Sequence, residues 1–192
     1  MNRKLKTLCV ALVSVFAMSA VAASTASAVE FHSAVQPQSI SGTQTINHVM
    51  TMNPGTAVCK KKPAFSGTTP AKTSNTLTLV PDYDECTVFG FINVPIHENG
   101  CAFIIYISGT SEIECPSGKK IEITAPFCTV TIAPQHLATG VTYSNNAAKS
   151  DIVITTDITN ELDYNECGTA RTNGSYTGVT TLTGGAGDVW VE

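Results

Sequence analysis

Runs that alternate with a two-residue period constrain this chain more than any other feature. TLTLV (76–80), CTVFGFINV (86–94), FIIYIS (103–108), KIEIT (120–124), CTVTIA (128–133) and DIVITTDI (151–158) are rich in Val, Ile, Thr, Tyr and Phe. Such residues suit a pleated, half-buried surface, and their alternation puts one set on each face of a strand. Two more strands are expected in SYTGVTTLTG (175–184) and DVWVE (188–192), and two at the start in SISGTQTI (39–46) and NHVMTM (47–52). Turn signals cut these runs at short intervals: ENGC (98–101), with its Asn-Gly hairpin cue, SGTS (108–111), PSGKK (116–120) and GGAG (184–187). Only APQHLATG (133–140) suggests a helical turn. Many short strands at close spacing predict an all-β fold, an antiparallel β-sandwich or barrel-like domain.

The first 28 residues have a different character. A basic head with Arg3, Lys4 and Lys6 precedes the apolar run LCVALVSVFAMSAVAA and the small residues STASA. This is the pattern of a secretory signal peptide, with cleavage expected between Ala28 and Val29. The apolar run is shorter than the ~20 residues a spanning helix needs, and no later run is longer, so no membrane span is expected after signal removal. Cys9 lies within the apolar core and not at the cleavage point, which argues against a lipoprotein. The short signal with an A-x-A end suits a bacterial protein. Residues 29–192 would then form a single secreted β domain, extracellular or associated with the cell envelope. Cleavage removes three of 11 basic residues and none of the 15 acidic ones, so the net charge moves from −4 to −7. That balance excludes nucleic acid as an expected partner. Lys60, Lys61 and Lys62 form the one basic run, read as a solvated edge or turn.

Six of the seven cysteines remain beyond Ala28: Cys59, Cys86, Cys101, Cys115, Cys128 and Cys167. An even number in an oxidising compartment predicts three disulfides, with 15 possible pairings. The spacing favours Cys115–Cys128, which brackets a turn and one strand, with Cys59–Cys86 and Cys101–Cys167 completing the set. Zinc ligands come in close pairs, and the smallest gap here is that from Cys115 to Cys128. C-x-x-C is absent, so redox chemistry is not expected.

The residues that carry chemistry elsewhere are scattered. His32, His48, His97 and His136 form no H-E-x-x-H pair. G-x-S-x-G is absent, and Ser117-Gly118-Lys119-Lys120 matches S-x-x-K only in a turn where a helix is required, with no K-T-G downstream. Asp82, Asp84 and Glu85 in PDYDEC, and Asp163, Asn165 and Glu166 in its echo DYNEC, offer hard oxygens for Ca²⁺ but lack EF-hand spacing; solvated turns are the simpler reading. Trp190, the sole Trp, is read as a sheet or core residue rather than a sugar platform. Asn173-Gly174-Ser175 is a glycosylation sequon. No catalytic residue, metal site or cofactor is expected. The two DY-acid-Cys stretches, with FSGTT (65–69) echoed by YTGVT (176–180), raise the possibility of a duplicated hairpin unit.

The run DECTVFGF…NGCAFIIYISG…ECPSGKKIEITAPFCTVTIAPQ, with FHS at 31–33 and FSGT at 65–68, carries three motifs: Cys-x₃-Gly, Asn-Gly-Cys and Cys-Pro-x-Gly. In these the chain resembles a family of secreted, cysteine-bearing, β-rich actinobacterial proteins of unknown function. The resemblance implies export and an all-β fold, and no activity, ligand or catalytic residue. The expected function is therefore a non-catalytic secreted or envelope-associated binding or structural module for an extracellular or cell-wall ligand. The alternatives are a secreted hydrolase, or a stapled inhibitor or effector presenting NVPIHENG (93–100) as a rigid exposed loop.

Overall fold

Alternation of apolar and polar residues dictates strands, and among the described residues strands form throughout, with no helix. The structure, a computed structural model, describes residues 29–53, 55–60, 64–126 and 128–192. The expected signal peptide, with Ala28 of its cleavage site, lies outside the described residues, as do Lys61 and Lys62. Val29 is exposed.

The strands are β1 (Phe31–Ser33), β2 (Gln38–Met52), β3 (Gly55–Cys59), β4 (Ala64–Thr69), β5 (Thr73–Ser74), β6 (Thr76–Asp82), β7 (Cys86–Val88), β8 (Ile92–Asn93), β9 (Ile96–His97), β10 (Ala102–Tyr106), β11 (Ser111–Glu114), β12 (Ile121–Ala125), β13 (Cys128–Ile132), β14 (Gln135–Leu137), β15 (Val141–Asn145), β16 (Asp151–Glu166), β17 (Thr169–Gly184) and β18 (Val189–Val191). All pairings are antiparallel, and together they shape a half-barrel. A small separate sheet runs β18-β1-β5.

Three long strands form the spine. β16 and β17 make one hairpin, turned by Cys167 and Gly168, which both adopt positive φ (49° and 89°). Two consecutive left-handed residues are what a two-residue type I′ hairpin requires. β2 lies along the other side of β17. Ile152, Ile154 and Ile158 of β16 and Tyr176, Thr180 and Leu182 of β17 point inward, and the Thr-rich alternate positions face out. Register shifts near Val179–Ile46 leave more residues on β2 than on β17. Such a bulge bends a strand and re-aims its side chains; here Ile46 is turned out to solvent while His48 is turned in.

One segment closes a ring. Ile92–Asn93 pair with β7, and the Val94 N–H donates to the Cys86 carbonyl. Two residues on, Ile96–His97 pair with β12, and the Thr124 N–H donates to the Pro95 carbonyl. Residues 92–97 thus bridge β7 and β12, and hydrogen-bonded neighbours run without a gap through β2, β3, β7, β8–β9, β12, β13, β16, β17 and back to β2. Val94 and Ile96 are buried in this ring. NVPIHENG is therefore not an exposed loop: most of it is the closing strand, with side chains alternating into the core.

Other expectations are corrected. CTVFGFINV is not one strand, because Phe89 and Gly90 take positive φ (53° and 80°) and turn it into the β7–β8 hairpin. APQHLATG holds no helical turn; Gln135–Leu137 is β14, paired with β11. The two strands expected at 39–52 are one, β2. Asn99-Gly100 forms its left-handed turn, with the Cys101 N–H on the Glu98 carbonyl, but the flanking strands pair with different partners, β9 with β12 and β10 with β6 and β11.

The disulfides follow from this topology. Cys59 and Cys86 face each other in the β3–β7 ladder and are bonded. Cys115–Cys128 and Cys101–Cys167 do not form. Cys101 and Cys115 flank the β10–β11 hairpin just outside the Ala102–Glu114 pair and are joined to each other. β11 pairs with β10 and β14 and never with β12, which takes Cys115 away from Cys128. Cys128 bonds instead to Cys167, whose N–H reaches the Thr129 carbonyl across the β13–β16 contact.

Candidate binding surface

Directions alternate around the antiparallel ring, so β2, β7, β12 and β16 run the same way and their last residues, Met52, Val88, Ala125 and Glu166, gather at one rim. Asn53 ties two of them together: its N–H donates to the Tyr164 hydroxyl (2.8 Å) and its Nδ2 to Glu166 Oε2 (3.2 Å). Glu166 also receives Arg171 Nε at 3.1 Å, so these two rim charges neutralise one another.

The two most exposed of the large apolar side chains among the described residues lie at this rim. Phe89 is 63 % and Phe91 77 % exposed, on the turn of the β7–β8 hairpin, with the Phe91 N–H on the Val88 carbonyl. A bulky residue in the left-handed region, as Phe89 is, is rare and carries a backbone cost of order 1–3 kcal/mol. Its ring lies over Gly55, at the side of an open apolar hollow of about 50 Å³ floored by Met52, Ala57, Val88, Ile123 and Val130. The Cys59–Cys86 bond ties the far ends of β3 and β7, which holds this hairpin to the ring. In the sequence, Phe89 and Phe91 share the phase of Thr87 and Asn93, opposite the buried Cys86, Val88 and Val94. Two aromatics on the polar phase were the available signal.

A second cluster lies in the interior. His48 is 2 % exposed, and its Nδ1 meets the Tyr176 hydroxyl at 2.5 Å and its Nε2 the Thr180 hydroxyl at 2.9 Å. The Tyr176 hydroxyl in turn meets that of Tyr83 at 2.7 Å. Burial pushes the imidazole down to about 4, against an opposing hydrogen bond to the Val179 backbone. Burial, with the neighbouring Tyr176 and Glu98, holds the Tyr83 hydroxyl well above its ordinary range. The cluster is a chain of neutral hydroxyls around a neutral imidazole, without a carboxylate among its hydrogen-bonded side chains. Nothing in the spacing of His48 from Tyr83 and Tyr176 announces it, since the three stand on β2, β17 and the segment after β6.

The other candidates stay apart. His97 and His136 are exposed on β9 and β14. His32 stacks on Trp190 across the β1–β18 ladder (centroids 5.2 Å, planes at 11°), and Trp190 Nε1 donates to Glu192 Oε2, so Trp190 is a sheet-face residue. Asp84 Oδ1 accepts the Glu85 N–H, Asn165 Oδ1 accepts that of Gly168, and Asp163 is bonded through its backbone to Gln135. Among the described residues, no three His, Cys, Asp or Glu side chains converge to hold a metal ion. Ser117 lies in the turn closed by the Lys119 N–H on the Pro116 carbonyl. Asn173 is exposed in β17, near the rim. Tyr83 and Tyr164, the tyrosines of the two DY-acid-Cys stretches, are both buried with bonded hydroxyls.

These features define a disulfide-stapled, all-β half-barrel with an aromatic rim and a buried histidine. Compared with known proteins, the chain matches no family model, no curated protein and no solved structure.

Proposed function

We propose that this chain is a non-catalytic secreted module that binds an extracellular or cell-wall ligand through the rim carrying Phe89 and Phe91. The observation behind this reading is the left-handed Phe89: a strained backbone presents two aromatic rings to solvent at a rigid end of the ring. Exposed aromatics on a preformed frame bind at little conformational cost. Three disulfides suit an oxidising compartment, in keeping with the signal-like N-terminus and with the resemblance to exported actinobacterial proteins. The acidic balance gives no support to nucleic-acid binding.

The test is partition between cell surface and medium for the secreted protein and for the double variant Phe89→Ser, Phe91→Ser, both verified as folded by their disulfide maps and circular dichroism. The wild type should be retained on the envelope fraction and the variant released. Equal partition of the two would sink the assignment of this rim.

A further inference from the structure

Ser111, on β11, is 3 % exposed, and its Oγ meets no hydrogen-bond partner among the described residues. A buried hydroxyl in that state calls for an explanation. Ser111 lines an interior cavity of about 30 Å³ whose wall also carries His48, Thr156, Tyr176 and Thr180, with apolar side chains over the remainder.

The hydrogen-bond directions around His48 lead into the same cavity. Among the described residues the Tyr83 hydroxyl meets only that of Tyr176, so its proton points there or stays unbonded in the core. Tyr176 then accepts from Tyr83 and donates to His48 Nδ1. A neutral imidazole has one proton, which therefore sits on Nε2 and points at Thr180 Oγ1. Thr180 accepts it, and the Thr180 proton is left facing elsewhere. The chain Tyr83, Tyr176, His48, Thr180 thus ends in a spare donor, and the unpartnered Ser111 stands on the same cavity wall.

We propose that this cavity is a site for ordered water, which joins the Thr180 hydroxyl to Ser111 Oγ. A water needs roughly 10–15 Å³ of such space and two to four polar partners, so one or two molecules fit. Thr180 donates to the water and Ser111 completes its shell, with Thr156 beside them. The water links β11 to the β2–β17 spine and satisfies the hydroxyl that the protein alone does not.

Three measurements on the full secreted chain test this. A crystal structure near 1.5 Å at neutral pH should show density within hydrogen-bond reach of both Ser111 Oγ and Thr180 Oγ1; an empty cavity overturns the proposal. Nitrogen chemical shifts of His48 should report the Nε2–H tautomer, and Nδ1–H would overturn the donor chain. Ser111→Ala should lower Tm by about 2–4 °C, since about that shift accompanies loss of one hydrogen bond in a chain of this size. A rise in Tm would mean that the hydroxyl is dry and merely tolerated. Should Ser111→Ala fail to fold, Ser111→Cys, close to isosteric, carries the same comparison with the same signs.

Discussion

The imidazole of His48 lies against the bare backbone of Gly178. A Cβ at Gly178 would stand 2.7 Å from His48 Cγ and Cδ2 and 2.9 Å from Nε2. Gly178 is therefore the floor of the buried histidine's pocket. The ring cannot slide away, because Tyr176 holds one nitrogen and Thr180 the other. The regular register Ser175–Thr51, Tyr176–Met50, Thr177–Val49, carried one residue further, sets His48 opposite Gly178, and the shift to Val179–Ile46 falls just beyond that pair.

Gly178→Ala should accordingly destabilise the protein by overpacking, by about 1–3 kcal/mol. Thermal unfolding checks the size. The combination with His48→Ala checks the cause: if the imidazole is what the new methyl meets, the double variant should lose clearly less than the sum of the two single losses.

Acid should weaken the fold through His48. Its folded value lies near 4 and its ordinary value is 6.5. Because the folded value is the lower, the unfolded chain binds the proton first, and stability is present in full above pH 6.5. It is lost as pH falls from 6.5 toward 4, at about 1.4 kcal/mol per pH unit and ~3 kcal/mol in all. The groups facing the ring are Phe65, Tyr83, Tyr176, Thr180 and the Val179 backbone, none of which supplies a negative charge at these pH values. Glu98 comes nearest, through the Tyr83 N–H that it accepts. Denaturant melts between pH 4 and 7 should show this slope in the wild type and a flatter one in His48→Gln. Parallel slopes would place the acid sensitivity on the carboxylates alone.

The three disulfides make a direct prediction for peptide mapping without reduction: Cys59–Cys86, Cys101–Cys115 and Cys128–Cys167. Their sequence separations are 27, 14 and 39. In the chain-entropy view, paired Cys→Ser substitutions should cost ~3.5, ~3 and ~4 kcal/mol respectively. Denaturant midpoints should therefore fall most for the Cys128–Cys167 pair. A peptide joining Cys115 to Cys128 would contradict the β10–β11 hairpin.

How far the sequence carried can be read at particular residues. TLTLV, KIEIT and CTVTIA became β6, β12 and β13 because alternation is a local signal and these strands have one face inward. CTVFGFINV misled, because Phe89 takes the left-handed conformation that propensity assigns to Gly or Asn. The partner of Cys115 depended on which strands β11 and β12 pair with, a non-local fact that loop length does not encode. Residues 93–100, which the inhibitor alternative reads as an exposed loop, hold Pro95 where one segment changes partners and its missing N–H costs no ladder bond. His48 was silent because its partners are 128 and 132 residues away.

The Tyr83–Tyr176 contact allows the buried network to be dissected. Tyr83→Phe removes one donor and leaves Tyr176 bonded to His48, so it should cost about 0.5–1.5 kcal/mol. Tyr176→Phe strips a partner from both the Tyr83 hydroxyl and His48 Nδ1, and each group stranded in the core costs about 1–3 kcal/mol. It should therefore be the more damaging single change. In the double variant no Tyr83 hydroxyl remains to be stranded, so the combined loss should fall below the sum by at least 0.5 kcal/mol. Equilibrium unfolding of the four proteins closes the cycle. Strict additivity would mean that the two hydroxyls, though 2.7 Å apart, contribute independently.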